Sequence, residues 1–133
     1  MSTEPTLSTA PQLLAVLAEL KRREPIFHRP ELGTTRADFE NMTDPSFWEV
    51  GASGRRYSRE FILDTLENRM LQGFEDVWET LDFHCLQIAP DNYLVTYTLL
   101  QGARVTRRAT LWRRTSSGWK ILYHQGTVVD PAP

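Results

Sequence analysis

The residues best suited to proton transfer are a glutamate and a histidine in two strand-like segments. Glu49 lies in Phe47-Trp48-Glu49-Val50, and His124 lies in Ile121-Leu122-Tyr123-His124-Gln125. A carboxylate oriented by a histidine is a general-base arrangement, and partial burial lifts a glutamate pKa toward neutrality. A second chemistry is anion recognition. Residues 92–129 contain Arg104, Arg107, Arg108, Arg113, Arg114 and Lys120 and no acid. Strand alternation puts Arg104, Thr106, Arg108, Thr110 and Trp112 on one face, and Val105, Arg107, Ala109 and Leu111 on the other. If Trp112 faces a cavity, Arg108 and Thr110 line it too. An arginine beside a tryptophan suits a carboxylate or phosphate on an organic body, through forked hydrogen bonds and stacking. The plainer alternative is structural. Arg107, Arg113 and Arg114 are then solvated rim charges, Arg108 pairs an acid such as Glu49, and Glu49 and His124 are satisfied polar residues that fix the closing strand.

Other reactive side chains offer less. His28 follows Arg23-Glu24-Pro25-Ile26-Phe27, between the first two helical segments and near a possible cavity mouth; a capping or surface role competes. Phe83 and Cys85 read as the core side of their strand, which leaves His84 on the opposite face. The three histidines show no metal-ligand spacing, so no metal is expected. Cys85 sits among apolar residues without a flanking cation and reads as an inert thiol. Trp48, Tyr57, Trp78 and Trp119 are core or pocket-lining aromatics. Gly51-Ala52-Ser53-Gly54 leads into a return strand and not directly into a helix, so it is not a phosphate loop, and no cofactor is expected.

The chain that must position these groups has 133 residues, 41% hydrophobic and 24% charged, with a formal charge of −2. That is the size and composition of one globular domain. A slightly acidic balance argues against nucleic acid and membrane as partners. Residues 1–8 are polar and read as a flexible tail, with a single domain over 9–130. No export signal or long apolar run is present, and the lone thiol fits a reducing cytoplasm.

The first half reads as helical. Thr9 and Gln12 form a capping box, and Leu13, Leu14, Leu17 and Leu20 form an apolar stripe that ends at Pro25. A second short helix starts after Thr35, with Ala37, Phe39 and Met42 inward, and stops before Pro45. A strand over 47–50, a tight turn and Arg55-Arg56-Tyr57 follow. Ser58 then caps a third helix to about Met70, burying Ile62, Leu66 and Met70. After Gly73 the period changes to two. Strands run over Trp78–Ile88, Tyr93–Leu99, Arg104–Arg114 and Trp119–Val129, joined by hairpins. Tyr93, Val95, Tyr97 and Leu99 form one apolar strand face; Leu94, Thr96, Thr98 and Leu100 form the other. The order α-α-β-β-α-β-β-β-β predicts an α+β fold, a curved antiparallel sheet wrapped around N-terminal helices.

This order, with Phe47-Trp48-Glu49-Val50-Gly51-Ala52-Ser53-Gly54-Arg55, Thr110-Leu111-Trp112-Arg113-Arg114 and Gly118-Trp119-Lys120-Ile121-Leu122-Tyr123-His124-Gln125-Gly126-Thr127, resembles the nuclear transport factor 2-like superfamily of cone-shaped α+β domains. Ketosteroid isomerases, SnoaL-type polyketide cyclases and scytalone dehydratase belong to it. Within it the chain looks most like the DUF4440-like group of unknown function. The resemblance covers about Leu13 to Val129. It implies a deep pocket between the concave sheet face and the helices, and a convex face through which two copies meet as a homodimer. It also implies that the first strand lies beside the last, bringing Glu49 near His124 or Gln125. In ketosteroid isomerases a base sits near the end of the corresponding first strand, but its Asp-Pro context is absent here. The expected function is binding of an anionic or polar small molecule in a pocket drawn from Trp48, Tyr57, Tyr97, Arg108, Thr110, Trp112 and His28. The alternative is a cofactor-free isomerase, cyclase or dehydratase with Glu49 or His124 as base and Arg108 or Tyr97 as oxyanion partner.

Overall fold

A computed structural model describes residues 2–73 and 77–130 of the chain. Met1, the first residue of the expected tail, lies outside the described residues. A short 3-10 turn, Pro11–Leu13, leads into α1 (Leu14–Lys21), followed by α2 (Arg36–Met42). Next come β1 (Thr43–Val50), β2 (Arg56–Ser58) and α3 (Arg59–Gln72). The chain closes with β3 (Glu79–Ala89), β4 (Asn92–Gln101), β5 (Arg104–Thr115) and β6 (Gly118–Val128). The element order matches the α+β reading.

Two of the three helix starts are built as the sequence indicates. The Thr35 side chain accepts from the Asp38 amide while Asp38 accepts in return from the Thr35 amide, a reciprocal capping box. Ser58 Oγ accepts from the Phe61 amide at 3.1 Å. The first start differs. The Thr9 hydroxyl instead accepts from the Cys85 amide at 3.2 Å, tying the N-terminal segment to β3. The tighter 3-10 turn then sets the phase of α1, so Leu13, Val16 and Leu20 are buried and Leu14 is 54% exposed. In α2, Phe39 is buried and Ala37 points outward.

The six strands form one sheet in the order β2-β1-β6-β5-β4-β3. It is mixed, not wholly antiparallel: β1 runs parallel to β6, with Glu49 opposite His124. Parallel neighbours need a long crossover, and everything from α3 to β5 lies between these two strands. The β4 face carrying Tyr93, Val95, Tyr97 and Leu99 is buried against the helices.

Irregularities aim the side chains. Leu111 pairs with Tyr123 while Trp112 pairs with Ile121, leaving Leu122 as an extra residue in β6. Such a bulge flips the alternation. Trp119 and Ile121 are therefore buried before it, and His124 and Gly126 after it, all on the concave side. A second register shift, between Leu81 and His84, contains Asp82 with a φ of 62°. Bulges bend strands, and here the sheet curls around the helices.

Candidate functional site

The concave face, α3 and the segment after α1 enclose a cavity of about 230 Å³. α3 contributes Ile62, Leu66 and Arg69, which lie on one side of the helix at i, i+4 and i+7. The segment after α1 contributes Pro25, Ile26, Phe27 and His28. The strands supply Glu49 from β1, Tyr97, Leu99 and Gln101 from β4, Arg104 and Arg108 from β5, and His124 from β6. Glu49, His124, Tyr97, Arg108 and His28 are thus brought together.

Four other expected pocket residues are placed differently. Trp48 alternates with Glu49 on β1, so it lies on the convex face, 44% exposed, with its ring edge-on to Tyr123. Tyr57 stacks on Phe61 and packs against the Gly51 backbone, outside the cavity lining. Thr110 and Trp112 do face inward, but they lie behind the cavity wall in a buried network.

The centre of that network is Glu24, which is wholly buried. Its Oε1 accepts from the Tyr97 hydroxyl at 2.8 Å and the Ile26 amide at 3.1 Å. Its Oε2 accepts from Trp112 Nε1 at 3.0 Å. The Thr110 hydroxyl lies near this carboxyl and helps hold its pKa down. Burial pushes the Glu24 carboxyl up from its ordinary range while these donors oppose the rise. Burial, with Glu24 alongside, likewise holds the Tyr97 phenol well above its ordinary value.

Two contacts fix the state of His124. Thr110 Oγ1 lies 2.8 Å from His124 Nδ1. Arg108 can only donate and faces Nε2, so Nε2 accepts and Nδ1–H donates to Thr110. Arg108 Nη1 lies 3.5 Å from that Nε2. Burial first, then the positive charges of Arg108 and His28, push the His124 pKa down to about 3. Its imidazole is neutral at physiological pH.

Arg108 sits against the sheet floor. Its Nε donates to Thr106 Oγ1 at 2.9 Å, and it forms no ion pair among the described residues. Gly126 makes room for it: a Cβ there would come within 3.0 Å of the guanidinium. Burial lowers the Arg108 pKa, which for a guanidinium still leaves a full charge at neutral pH. Glu49 is not hydrogen-bonded to His124. Burial raises its carboxyl to about 7 against the opposing pull of Arg108 and Arg69. Gln101 Oε1 is buried and has no hydrogen-bond partner among the described residues.

Three further arginines of β5 are engaged elsewhere. Arg107 bonds Glu4 at 2.9 Å, Arg113 bonds Asp44 at 3.2 Å, and Arg114 bonds Glu19 at 3.0 Å. Among the described residues no group of His, Cys, Asp and Glu could hold a metal ion, and no helix is long and apolar enough to cross a membrane.

Sequence reasoning missed Glu24, Arg69, Gln101 and Arg104 as site residues. Three of them carry a usable signal. Gln101 continues the parity of Tyr97 and Leu99, Arg104 that of Arg108, and Arg69 the helical stripe of Ile62 and Leu66. Glu24 carries none, because the partners that bury it are 73 and 88 residues away.

No family model matches the chain, and no curated protein matches it. Solved structures do. A nuclear transport factor 2-like protein from Cytophaga hutchinsonii aligns with a TM-score of 0.68 at 12% identity, over 90% of this chain and 100% of that one. An uncharacterised protein with a cystatin-like fold from Caulobacter vibrioides gives 0.66 at 18% identity, over 88% and 89%. A candidate ketosteroid isomerase from Parabacteroides distasonis gives 0.59 at 16% identity, over 96% and 95%. At these identities the likeness is one of fold.

Proposed function

For a chain with the nuclear transport factor 2-like fold, which hosts unrelated activities, we propose that the cavity binds a small organic anion through Arg108. One observation carries this reading. A guanidinium lies on the cavity floor, and its hydrogen-bond partners among the described residues, Thr106 and His124, are both neutral. A charge so placed is satisfied best by an incoming carboxylate or phosphate, which its fork binds through two parallel bonds. The cavity is smaller than the ~300–1,000 Å³ that drug-sized ligands occupy, so the ligand is compact. This favours a short acid over a steroid or a polycyclic polyketide. Membership of the SnoaL-like or DUF4440-like groups belongs to the same reading, as do a homodimer through the convex face and a cytoplasmic location.

Titration with short carboxylates and inorganic phosphate, followed by calorimetry, tests the binding. Arg108→Gln is expected to weaken the bound anion roughly 10- to 100-fold, the worth of a charge-assisted hydrogen bond. Equal affinity in wild type and variant would remove Arg108 from the site.

A second reading is favoured by Glu49, whose carboxyl titrates at about 7 and points into the same cavity. Such a group can take a proton from a carbon next to a carbonyl and return it elsewhere on the same molecule, as in an isomerase. Arg108 is the oxyanion partner in that scheme, because the Tyr97 proton is already given to Glu24. His124, held neutral with a pKa of about 3, is a poor base. The two readings differ in pH dependence. Anion binding tightens as the pH falls through about 7, where protonation removes the negative charge beside Arg108. Proton abstraction speeds up as the pH rises through the same value.

A further inference from the structure

We infer that the ligand is a short hydroxy acid, with its carboxylate at Arg108 and a hydroxyl at Gln101; this rests on the anion-binding reading above. The cavity offers acceptors as well as cations, and a plain carboxylate leaves those acceptors unused. Gln101 lines the cavity, and its buried Oε1 lacks a partner among the described residues. A buried polar group left unmatched by a ligand weakens binding of that ligand. A hydroxyl serves the Gln101 amide in either of its two flipped orientations, because it both donates and accepts.

A second acceptor points to the same chemistry independently. The contacts with donor-only Arg108 and with Thr110 place the His124 proton on Nδ1 and leave Nε2 as an acceptor. The Arg108 guanidinium lies there at the long distance of 3.5 Å. An anion that draws Arg108 toward itself leaves Nε2 open to a donor on the ligand.

The cavity is graded along the sheet. Gln101 and Arg104 face each other across the β4–β5 pair, and Tyr97 and Arg108 do so four residues further in. Leu99 lies between them on β4, with Ile62 and Leu66 from α3 among the other cavity-lining residues. A ligand spanning the two polar stations therefore has a short aliphatic body between an anionic and a hydroxylated end. The volume of about 230 Å³ corresponds to roughly eight waters at ~30 Å³ each, the size of a molecule with a handful of carbons.

The test compares butyrate with 2-, 3- and 4-hydroxybutyrate by calorimetry on the full chain. At least one hydroxybutyrate is expected to bind about tenfold more tightly than butyrate. Gln101→Leu should abolish that preference, read as the ratio of hydroxybutyrate to butyrate affinity within each protein. Gln101→Met is a second apolar replacement, and circular dichroism checks both variants for folding. Equal binding of butyrate and all three hydroxy acids by the wild type would overturn the hydroxy-acid inference and leave the anion reading standing. A preference that survives in both folded variants would also overturn it. Failure of every acid to bind would overturn the hydroxy-acid inference, and failure of inorganic phosphate as well would remove the anion reading with it.

Discussion

At the scale of single residues, the site sets two buried titrations against each other. Burial raises Glu49 from 4.5 to about 7. Between those values the folded protein keeps a proton that the unfolded chain has released, so the Glu49 contribution to stability falls as pH rises. His124 acts in the opposite sense. Its ring is held at about 3 instead of 6.5, so the unfolded chain alone gains a proton in that window and stability is lost as pH falls. From pH 4.5 to 6.5 the Glu49 and His124 slopes oppose, and Glu24, also raised by burial, adds to the Glu49 side. Glu49→Gln removes one slope. In urea denaturation the variant is then expected to gain, relative to the wild type, on the order of 2 kcal/mol as pH rises across that window. A variant profile parallel to that of the wild type would mean that Glu49 titrates ordinarily. Both groups are legible in the sequence, because each interrupts an apolar strand. Their pKa values are not legible. They depend on burial and on Arg108, Arg69 and His28, which come together only in the folded protein.

At the scale of elements, α3 and β6 do the aiming. α3 carries Ile62, Leu66 and Arg69 into the cavity wall, and its first turn is held by Ser58. Ser58→Ala should cost about 1 kcal/mol of unfolding free energy, and Ser58→Asp should restore most of it, since aspartate also caps and complements the helix dipole. Equal stability of all three proteins would show that the tertiary contacts of α3 suffice without the cap. The cap and the Thr35–Asp38 box are readable because they depend on residues three apart. The Leu122 bulge is not readable. Strict alternation through Trp119, Ile121, Tyr123 and Gln125 would have turned His124 outward, and only pairing with β5 shows where the alternation breaks. Local pattern likewise carries no sign of the parallel β1–β6 pair, whose partners are about 75 residues apart.

At the scale of the whole molecule, the separation of charge along the chain becomes pairing in space. The acid-free segment 92–129 finds its counterions in the first half, through Glu4, Glu19 and Asp44. Arg104 and Arg108 instead face the cavity, so a chain of nearly balanced charge keeps a cationic interior site. The convex face has a different character. Trp48, Tyr123, Leu111, Leu94 and Leu86 stand opposite one another in register across five strands. The two ends of this row, Trp48 and Leu86, are 44% and 47% exposed. A continuous apolar row on a sheet face is costly to leave in water and suits a second, identical sheet. The proposed homodimer therefore predicts sedimentation at twice the chain mass at micromolar concentration. Leu86→Glu with Trp48→Glu should give the single-chain mass, because like charges would then meet across the two-fold axis or lie buried without partners. Neither residue lines the cavity, so anion binding by the folded variant should persist unless the assembly itself shapes the site. A wild type that sediments as one chain would remove the dimer and leave the row as an exposed surface seeking another partner.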